Sequence, residues 1–123
     1  REGIRLFNAG AFFEAHEALE TAWLESPAPI RNLYRGLLQA AVVCLHLERG
    51  NLRGALKVYR RSLKWLEPWP EVAAGIAVGR FRREMQTCIQ AARAAGPAEF
   101  SKAVCPRIQN ADSALPTSHP GRG

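Results

Sequence analysis

The chain is poor in cysteine, and its few cysteines are not arranged as a framework. Cys44, Cys88 and Cys105 are widely separated and odd in number, and no C-x-x-C pair occurs among the 123 residues. We therefore expect neither a set of disulfides nor a zinc site built on cysteine, and this usage favours a reducing compartment such as the cytoplasm. In that setting Cys44 and Cys88 are expected to act as small apolar core residues.

Long apolar runs, strand patterns and a glycine-rich phosphate loop are also missing. The longest apolar run, residues 37–47, is interrupted by Gln39 and His46 and is too short and too polar to span a bilayer. No segment alternates β-branched and polar residues between turn signals. These absences argue against a membrane protein, a sheet-based fold and a nucleotide-binding loop, and they leave an all-α protein without a membrane partner.

What the chain does have is apolar residues at helical spacing, divided by glycines and prolines. The predicted helices cover residues 1–8, 11–25, 29–49, 52–66 and 78–95. Gly10 is expected to break the first helix, and Gly50 is expected to end the third helix in the left-handed conformation. One more turn is expected over residues 99–104. Pro, Ser, Gly and Asn then prevail, so we predict one helical domain over residues 1–105 and a disordered tail over residues 106–123.

A weak internal repeat relates the first two pairs of helices. Gly10 matches Gly50 and Trp23 matches Leu63, at a common spacing of 40 residues. Helix pairs joined by a glycine turn are typical of tetratricopeptide-like hairpins, but two copies are too few for a solenoid. We therefore predict a compact bundle of about five helices, built from stacked tetratricopeptide-like helical hairpins.

The second helix carries polar residues where apolar ones are expected. His16 and Glu20 lie four residues apart, on one face, inside an arc of apolar side chains, and Glu17 lies at its border. Burying a polar group such as a histidine or a carboxylate without a partner costs about 2–7 kcal/mol. Partners must therefore exist on a neighbouring helix.

The third helix offers such partners. Arg35, Gln39 and His46 fall on one narrow strip of an otherwise apolar helix. Because the turn between the second and third helices is short, the two helices should run antiparallel. That register sets Glu20 near Arg35 and His16 near Gln39.

Three interpretations of this polar strip stay open. It is a closed core network in which Glu20 pairs with Arg35, a ligand or divalent-metal site built on His16, Glu20 and His46, or a catalytic site in which a histidine acts as general base oriented by Glu20. Arg35 would repel a cation, and neither a paired Glu-x-x-His motif nor a nucleophile is recognisable. No cofactor is therefore predicted, and a divalent metal stays the second choice.

The same residues carry a family resemblance. LFNAGAFFEAHEALETAW at residues 6–23, GLLQAA at 36–41 and His46 followed by GNLRGA at 50–55 resemble the signature of the bacterial and archaeal "domain of unknown function 309" family. The resemblance covers about residues 4–66 and implies a small all-α cytosolic protein, without implying an activity. The positions that match its signature polar residues are Asn8, Glu14, His16, Glu17, Glu20, Trp23, Gln39, His46 and Asn51.

The chain is strongly basic, with a net charge of +6 and a pI near 9.9. One side of the fourth helix forms a basic face, which consists of Arg53, Lys57, Arg60, Arg61 and Lys64. This face is either an ordinary solvated surface or a footprint for an acidic protein or a nucleic acid. On the helical wheel no aromatic residue interleaves with these charges, since Tyr59 falls on the opposite, apolar side, and no helix-turn-helix spacing is evident.

Together these features predict a non-enzymatic binding or interaction module. A metal-dependent or His/Glu-dependent hydrolase-like enzyme is one alternative, and a nucleic-acid-associated accessory protein that uses the basic face is another. A second copy of the chain is a further candidate partner. Trp65 and Trp69 flank Pro68 and are expected to pack the end of the second hairpin, although exposure of this pair would instead indicate a protein interface.

Overall fold

The computed structural model describes residues 1–95 and 105–111, and its helices lie where the apolar spacing predicts them. They are α1 (Glu2–Asn8), α2 (Phe12–Glu25), α3 (Ile30–Glu48), α4 (Leu52–Leu66) and α5 (Val78–Ala95). Outside these helices the described residues form two isolated β-bridges and no strand, which confirms the all-α class. Over the same ranges, no helix has the length and apolar character needed to cross a membrane. The turn predicted over residues 99–104 lies outside the described residues.

Local signals explain the helix boundaries. Gly10 and Gly50 adopt positive φ angles of +83° and +74°, a conformation that glycine reaches without a steric penalty. The Asn51 side chain accepts a hydrogen bond from the Gly54 N–H at 2.9 Å and so caps the start of α4. These residues act within a few positions of the boundary that they set, which is why the boundaries can be read from the sequence.

The centre of the bundle is α3, which packs against both α2 and α4, while α1 packs on α2 and α5 on α4. Leu33, Leu37 and Cys44 on α3 are fully buried. Gly36 allows α4 to approach closely, because a Cβ there would lie only 2.7 Å from Cγ of Leu66. Successive helices therefore pack as neighbours, and the predicted compact bundle is confirmed.

Residues 105–111 also pack against the bundle, although most of them fall in the predicted disordered tail. Ile108 is 3% exposed, and the Ala77 N–H donates to the Gln109 carbonyl at 2.9 Å. This part of the tail prediction therefore needs correction, because long-range pairing orders a segment whose composition is that of a loop. Residues 112–123 lie outside the described residues.

Cys44 and Cys105 form a disulfide that ties this segment to α3. Their Cα atoms are 6.3 Å apart, and 61 positions separate them in the sequence. No set of disulfides was expected, yet these two cysteines pair, because wide spacing along the chain does not prevent proximity in the fold. Cys88 is a free thiol that lies in the core, as expected, and burial raises the pKa of its thiol.

Candidate functional site

The predicted polar strip does not converge on a common centre. Glu17 and Glu20 are exposed on α2, whereas Arg35 is half-buried on α3. The expected ion pair between Glu20 and Arg35 does not form, since the ion pairs among the described residues join other side chains. The Glu20 carboxylate is solvated and the Arg35 guanidinium contacts other groups. The main contact of the predicted core network is therefore missing.

His16 and Gln39 do not form the second expected contact of that network. His16 is half-buried, and its ring lies 6.2 Å from the ring of Phe13 on its own helix. The Oε1 atom of Gln39 is buried and has no hydrogen-bond partner among the described residues. Trp23, near the end of α2, lies beside Arg31 and Arg35, near the start of α3, as antiparallel helices require, but the expected polar pairs do not form between the two helices.

Arg35 instead lies between two tryptophan rings supplied by α2 and α4. Its guanidinium carbon is 4.4 Å from the centre of the Trp65 ring and 5.2 Å from that of Trp23. Arg31 lies 5.7 Å from the Trp23 ring, and the Lys64 ammonium lies 5.1 Å from the Trp65 ring. We call these five residues the Trp–Arg cluster, in which cations and aromatic rings alternate across three helices. Each such contact contributes about 0.5–1 kcal/mol at exposed sites.

His46 belongs to the cap of α4. Its Nδ1 atom is 3.1 Å from Nδ2 of Asn51. Because Oδ1 of Asn51 accepts from the Gly54 N–H, the amide nitrogen is left to donate, and Nδ1 of His46 is the acceptor. A Cβ at Gly54 would lie 3.0 Å from Cε1 of His46, so the imidazole also packs against the first turn of α4. This histidine is therefore occupied in a structural contact.

The candidate metal ligands have different surroundings. His16 lies beside an aromatic ring, Glu20 is exposed, and His46 is bonded to Asn51. Over residues 1–95 and 105–111, no three His, Cys, Asp or Glu side chains come together as metal ligands would. The described geometry thus gives the strip neither a shared metal position nor a histidine oriented by a carboxylate.

Asn8, another signature position, holds the C-terminal segment in place. Its side-chain amide donates to the Ile108 carbonyl at 2.9 Å, and its carbonyl oxygen accepts from the Ile108 N–H at 2.7 Å. The Arg107 guanidinium also donates to the Asn8 backbone carbonyl at 3.3 Å. Asn8 therefore satisfies both backbone groups of a buried residue about 100 positions away, whereas Glu14 is exposed on α2.

The predicted basic face is exposed along α4. All five of its cations, Arg53, Lys57, Arg60, Arg61 and Lys64, are exposed. The ion pairs in the described part of the chain use Arg5, Arg80 and Arg83, so no carboxylate there neutralises the basic face. Lys64 belongs to both the basic face and the Trp–Arg cluster. The expectation that no aromatic ring interleaves with the charges is therefore wrong at this end of the face, because the Lys64 ammonium lies against the ring of Trp65.

A groove of about 450 Å³ adjoins this end of the basic face. Trp65, Trp69, Lys64 and Asn32 line it together with three prolines, which are Pro29, Pro68 and Pro70. We call it the tryptophan groove. Both tryptophans are half-buried, and Trp69 packs against the hydrophobic core. The predicted packing of the hairpin end is thus confirmed for Trp69, but part of the pair faces open space.

The fold and the site together define a small protein of stacked helical hairpins, with a cationic helix face that ends at an aromatic groove. Residues 1–58 match the model of the family described as "Domain of unknown function (DUF309)". The match covers slightly less than half of the chain and confirms the predicted resemblance to that family. It includes the polar strip, Asn8, Trp23 and Asn51, but the tryptophan groove lies mostly beyond it.

Two relatives extend the comparison. An "Uncharacterized protein" of Aquifex aeolicus (strain VF5) is 29% identical over 101 residues, which are 81% of this chain and 30% of that protein. The "Uncharacterized protein YpuF" of Bacillus subtilis (strain 168) is 39% identical over 57 residues, which are 46% of this chain and 33% of that protein. The chain thus spans about a third of the length of these relatives.

The Trp–Arg cluster was missed in the sequence, although a signal for it was present. The register that sets Glu20 near Arg35 also sets Trp23 near Arg31, and Arg31 and Arg35 are spaced four residues apart on α3. A tryptophan opposite two arginines at that spacing indicates cation–π contacts. No comparable signal announces the Cys44–Cys105 disulfide.

Proposed function

We propose that this chain is a non-catalytic binding module that takes an anionic partner on the basic face of α4. The observation that carries the proposal is the set of five exposed cations on one helix face, with no carboxylate partner among the described residues. Such a surface attracts polyanions over a Debye length of about 10 Å at an ionic strength of about 0.1 M.

The polar strip supports a structural role more than a catalytic one. General-base catalysis needs a proton-accepting side chain within reach of the substrate and a group that orients that side chain. His46 bonds to Asn51, and Glu20 is exposed and forms no described ion pair with Arg35. The hydrolase-like alternative therefore has less support than binding.

The test compares charge reversal on the basic face with charge reversal elsewhere. Arg61→Glu should weaken the binding of a fluorescently labelled single-stranded oligonucleotide to the 123-residue chain by about tenfold, an effect like that of losing one strong electrostatic contact. Arg93→Glu on α5 changes the net charge equally and is the matched control, because Arg93 is also exposed. Affinity is measured by fluorescence anisotropy at low salt.

The salt dependence supplies a second readout. If about five cations contact phosphates of a single strand, the logarithm of the affinity should fall with the logarithm of the salt concentration with a slope of about −3.5. Equal losses for Arg61→Glu and Arg93→Glu, or binding that salt does not weaken, would contradict the proposal.

Two further parts of the proposal concern oligomers and compartment. A second copy would present the same positive face, so like-charge repulsion disfavours association through α4. A cytoplasmic location, which the cysteine usage first suggested, would keep Cys44 and Cys105 as thiols. Rapid alkylation of denatured protein taken from its native cells tests this: alkylation of Cys44 and Cys105 as well as Cys88 supports the cytoplasm, and an intact disulfide with only Cys88 alkylated contradicts it.

A further inference from the structure

We propose that the tryptophan groove binds a nucleobase of a single-stranded nucleic acid whose phosphates lie along the basic face of α4. The inference rests on the proposed function, because the same cations supply the electrostatic attraction. Beyond that function, it identifies the class of ligand and adds the tryptophan groove as a second point of contact.

The shape and apolar character of the groove suit a flat ring. Its volume of about 450 Å³ lies within the range of about 300–1,000 Å³ that small-molecule sites occupy. Trp65 and Trp69 line it and are half-buried, so they are held in place while part of each stays accessible. Aromatic side chains stack on any nucleobase, because every base has a π-face.

Two polar side chains of the groove complement the rest of a nucleotide. The Asn32 side-chain amide has both donors and an acceptor, the combination that the edge of a base requires. The Lys64 ammonium lies 5.1 Å from the centre of the Trp65 ring and is exposed. Because Lys64 and Arg35 already lie against the Trp65 ring, Trp69 is the ring left to stack on a base, and Lys64, which lines the same groove, supplies the positive charge for the phosphate of that nucleotide.

Lys64 makes the groove continuous with the basic face. At a rise of about 1.5 Å per residue, the helix carries cations over about 16 Å from Arg53 to Lys64. That length accommodates several phosphates of an extended strand, and Arg31 and Arg35 in the Trp–Arg cluster add charge at the same end. The charges and the aromatic groove thus form one surface.

The groove discriminates between the candidate anionic partners. An acidic peptide complements the cations, but aspartate and glutamate have no flat apolar face to fill a space between tryptophans. A duplex keeps its bases stacked inside, whereas a single strand can place one in a pocket. The combination of charge and groove therefore favours a single strand over both.

The experiment separates base recognition from anion binding. The 123-residue chain, with its disulfide intact, is titrated into a labelled oligothymidylate of about 12 nucleotides, a typical site size for single-strand binders. A second strand of the same length carries abasic sites, and so has equal charge without bases. We expect the thymidylate to bind about tenfold more tightly, which corresponds to about 1.4 kcal/mol.

Variants assign this preference to the groove. Trp69→Leu should remove the tenfold preference, while Trp69→Phe, which keeps an aromatic ring, should retain it. Phe13→Leu is the matched control, because Phe13 is an aromatic residue on α2 that is 46% exposed and does not line the groove. Circular dichroism checks that each variant folds. If Trp69→Leu does not fold, quenching of tryptophan emission by thymidylate and not by the abasic strand tests the same contact in the unaltered chain.

The outcomes distinguish this inference from the proposed function. Equal affinity for the two strands overturns base binding but leaves anion binding on α4 intact. Tighter binding of polyglutamate or of a duplex than of the single strand also overturns it. A base preference that survives while Arg61→Glu and Arg93→Glu behave alike would instead contradict the role of the basic face.

Discussion

At the scale of single residues, Arg35 shows how an apparently polar contact can be an aromatic one. A guanidinium is planar and weakly hydrated, so it stacks on aromatic faces at little desolvation cost. Between Trp23 and Trp65 it gains these contacts without a buried carboxylate, and Glu20 stays in solvent. The register was predictable from the sequence, but the partner was not, because two candidate partners lay within reach of the same side chain.

Double-mutant cycles test this assignment. Arg35→Met combined with Trp65→Leu should show a coupling energy of about 0.5–1 kcal/mol, the size of an exposed cation–π contact. Arg35→Met combined with Glu20→Gln should be additive within about 0.3–0.5 kcal/mol, because the two side chains form no ion pair. Free energies of unfolding come from urea titrations. A coupling between Glu20 and Arg35 that exceeds the coupling between Arg35 and Trp65 would refute the assignment.

We expect the side-chain oxygen of Asn51 to stabilise the start of α4. Asn51→Ala removes the cap of α4 and the hydrogen bond to His46, so we expect a loss of about 1–2 kcal/mol in stability. Asn51→Asp keeps an oxygen that can accept from the Gly54 N–H, and it should cost less. Thermal unfolding of the two variants is the measurement, and a loss as large for Asn51→Asp as for Asn51→Ala would show that the cap is not the reason.

At the scale of elements, the helices and residues 105–111 differ in how far along the chain the residues that fix them lie. The ends of α1, α3 and α4 depend on Gly10, Gly50 and Asn51, which are local. Residues 105–111 are held by Asn8 and by other contacts from distant parts of the chain. Composition predicted disorder from residue 106 onward, because it carries no information about the distant residues to which this segment binds.

The disulfide should be the main energetic tie between this segment and α3. Closing a loop of 61 residues restricts the unfolded chain, and the entropy model gives a stabilisation of about 4 kcal/mol. Cys105→Ser should therefore lower the melting temperature markedly. The control is a reductant, which should lower the melting temperature of the unaltered chain to about the same value and leave Cys105→Ser unchanged. A reductant that has no effect on the unaltered chain would contradict this prediction.

At the scale of the whole molecule, the net charge of +6 is unevenly placed. Arg5, Arg80 and Arg83 have carboxylate partners, whereas the basic face of α4 has none among the described residues. A concentrated positive face steers anions towards one side of the protein, which an evenly distributed charge of the same size would not do. The net charge is a property of the sequence, but the distribution of that charge over the surface depends on the fold.

Alkaline pH should destabilise the folded molecule. Burial raises the pKa of the Cys88 thiol and that of the Tyr59 hydroxyl above their ordinary values. Both groups hold their protons more tightly when folded, so their contribution is complete below the unfolded pKa and is lost as pH rises towards the folded pKa. The melting temperature should therefore fall above about pH 9. Cys88→Ala should show a smaller fall, and an equal fall would exclude the thiol as a cause.

The sequence by itself determined the five helices, their boundaries, the basic face of α4 and the resemblance of the N-terminal part to a known family. Each of these depends on residues a few positions apart, whose spacing on a helix is known in advance. Only the tertiary structure decided that Arg35 meets tryptophans, that Cys44 meets Cys105, that Asn8 holds Ile108 and that a groove opens beside Lys64. Those contacts join distant parts of the chain, and separation along a sequence does not specify distance in a fold.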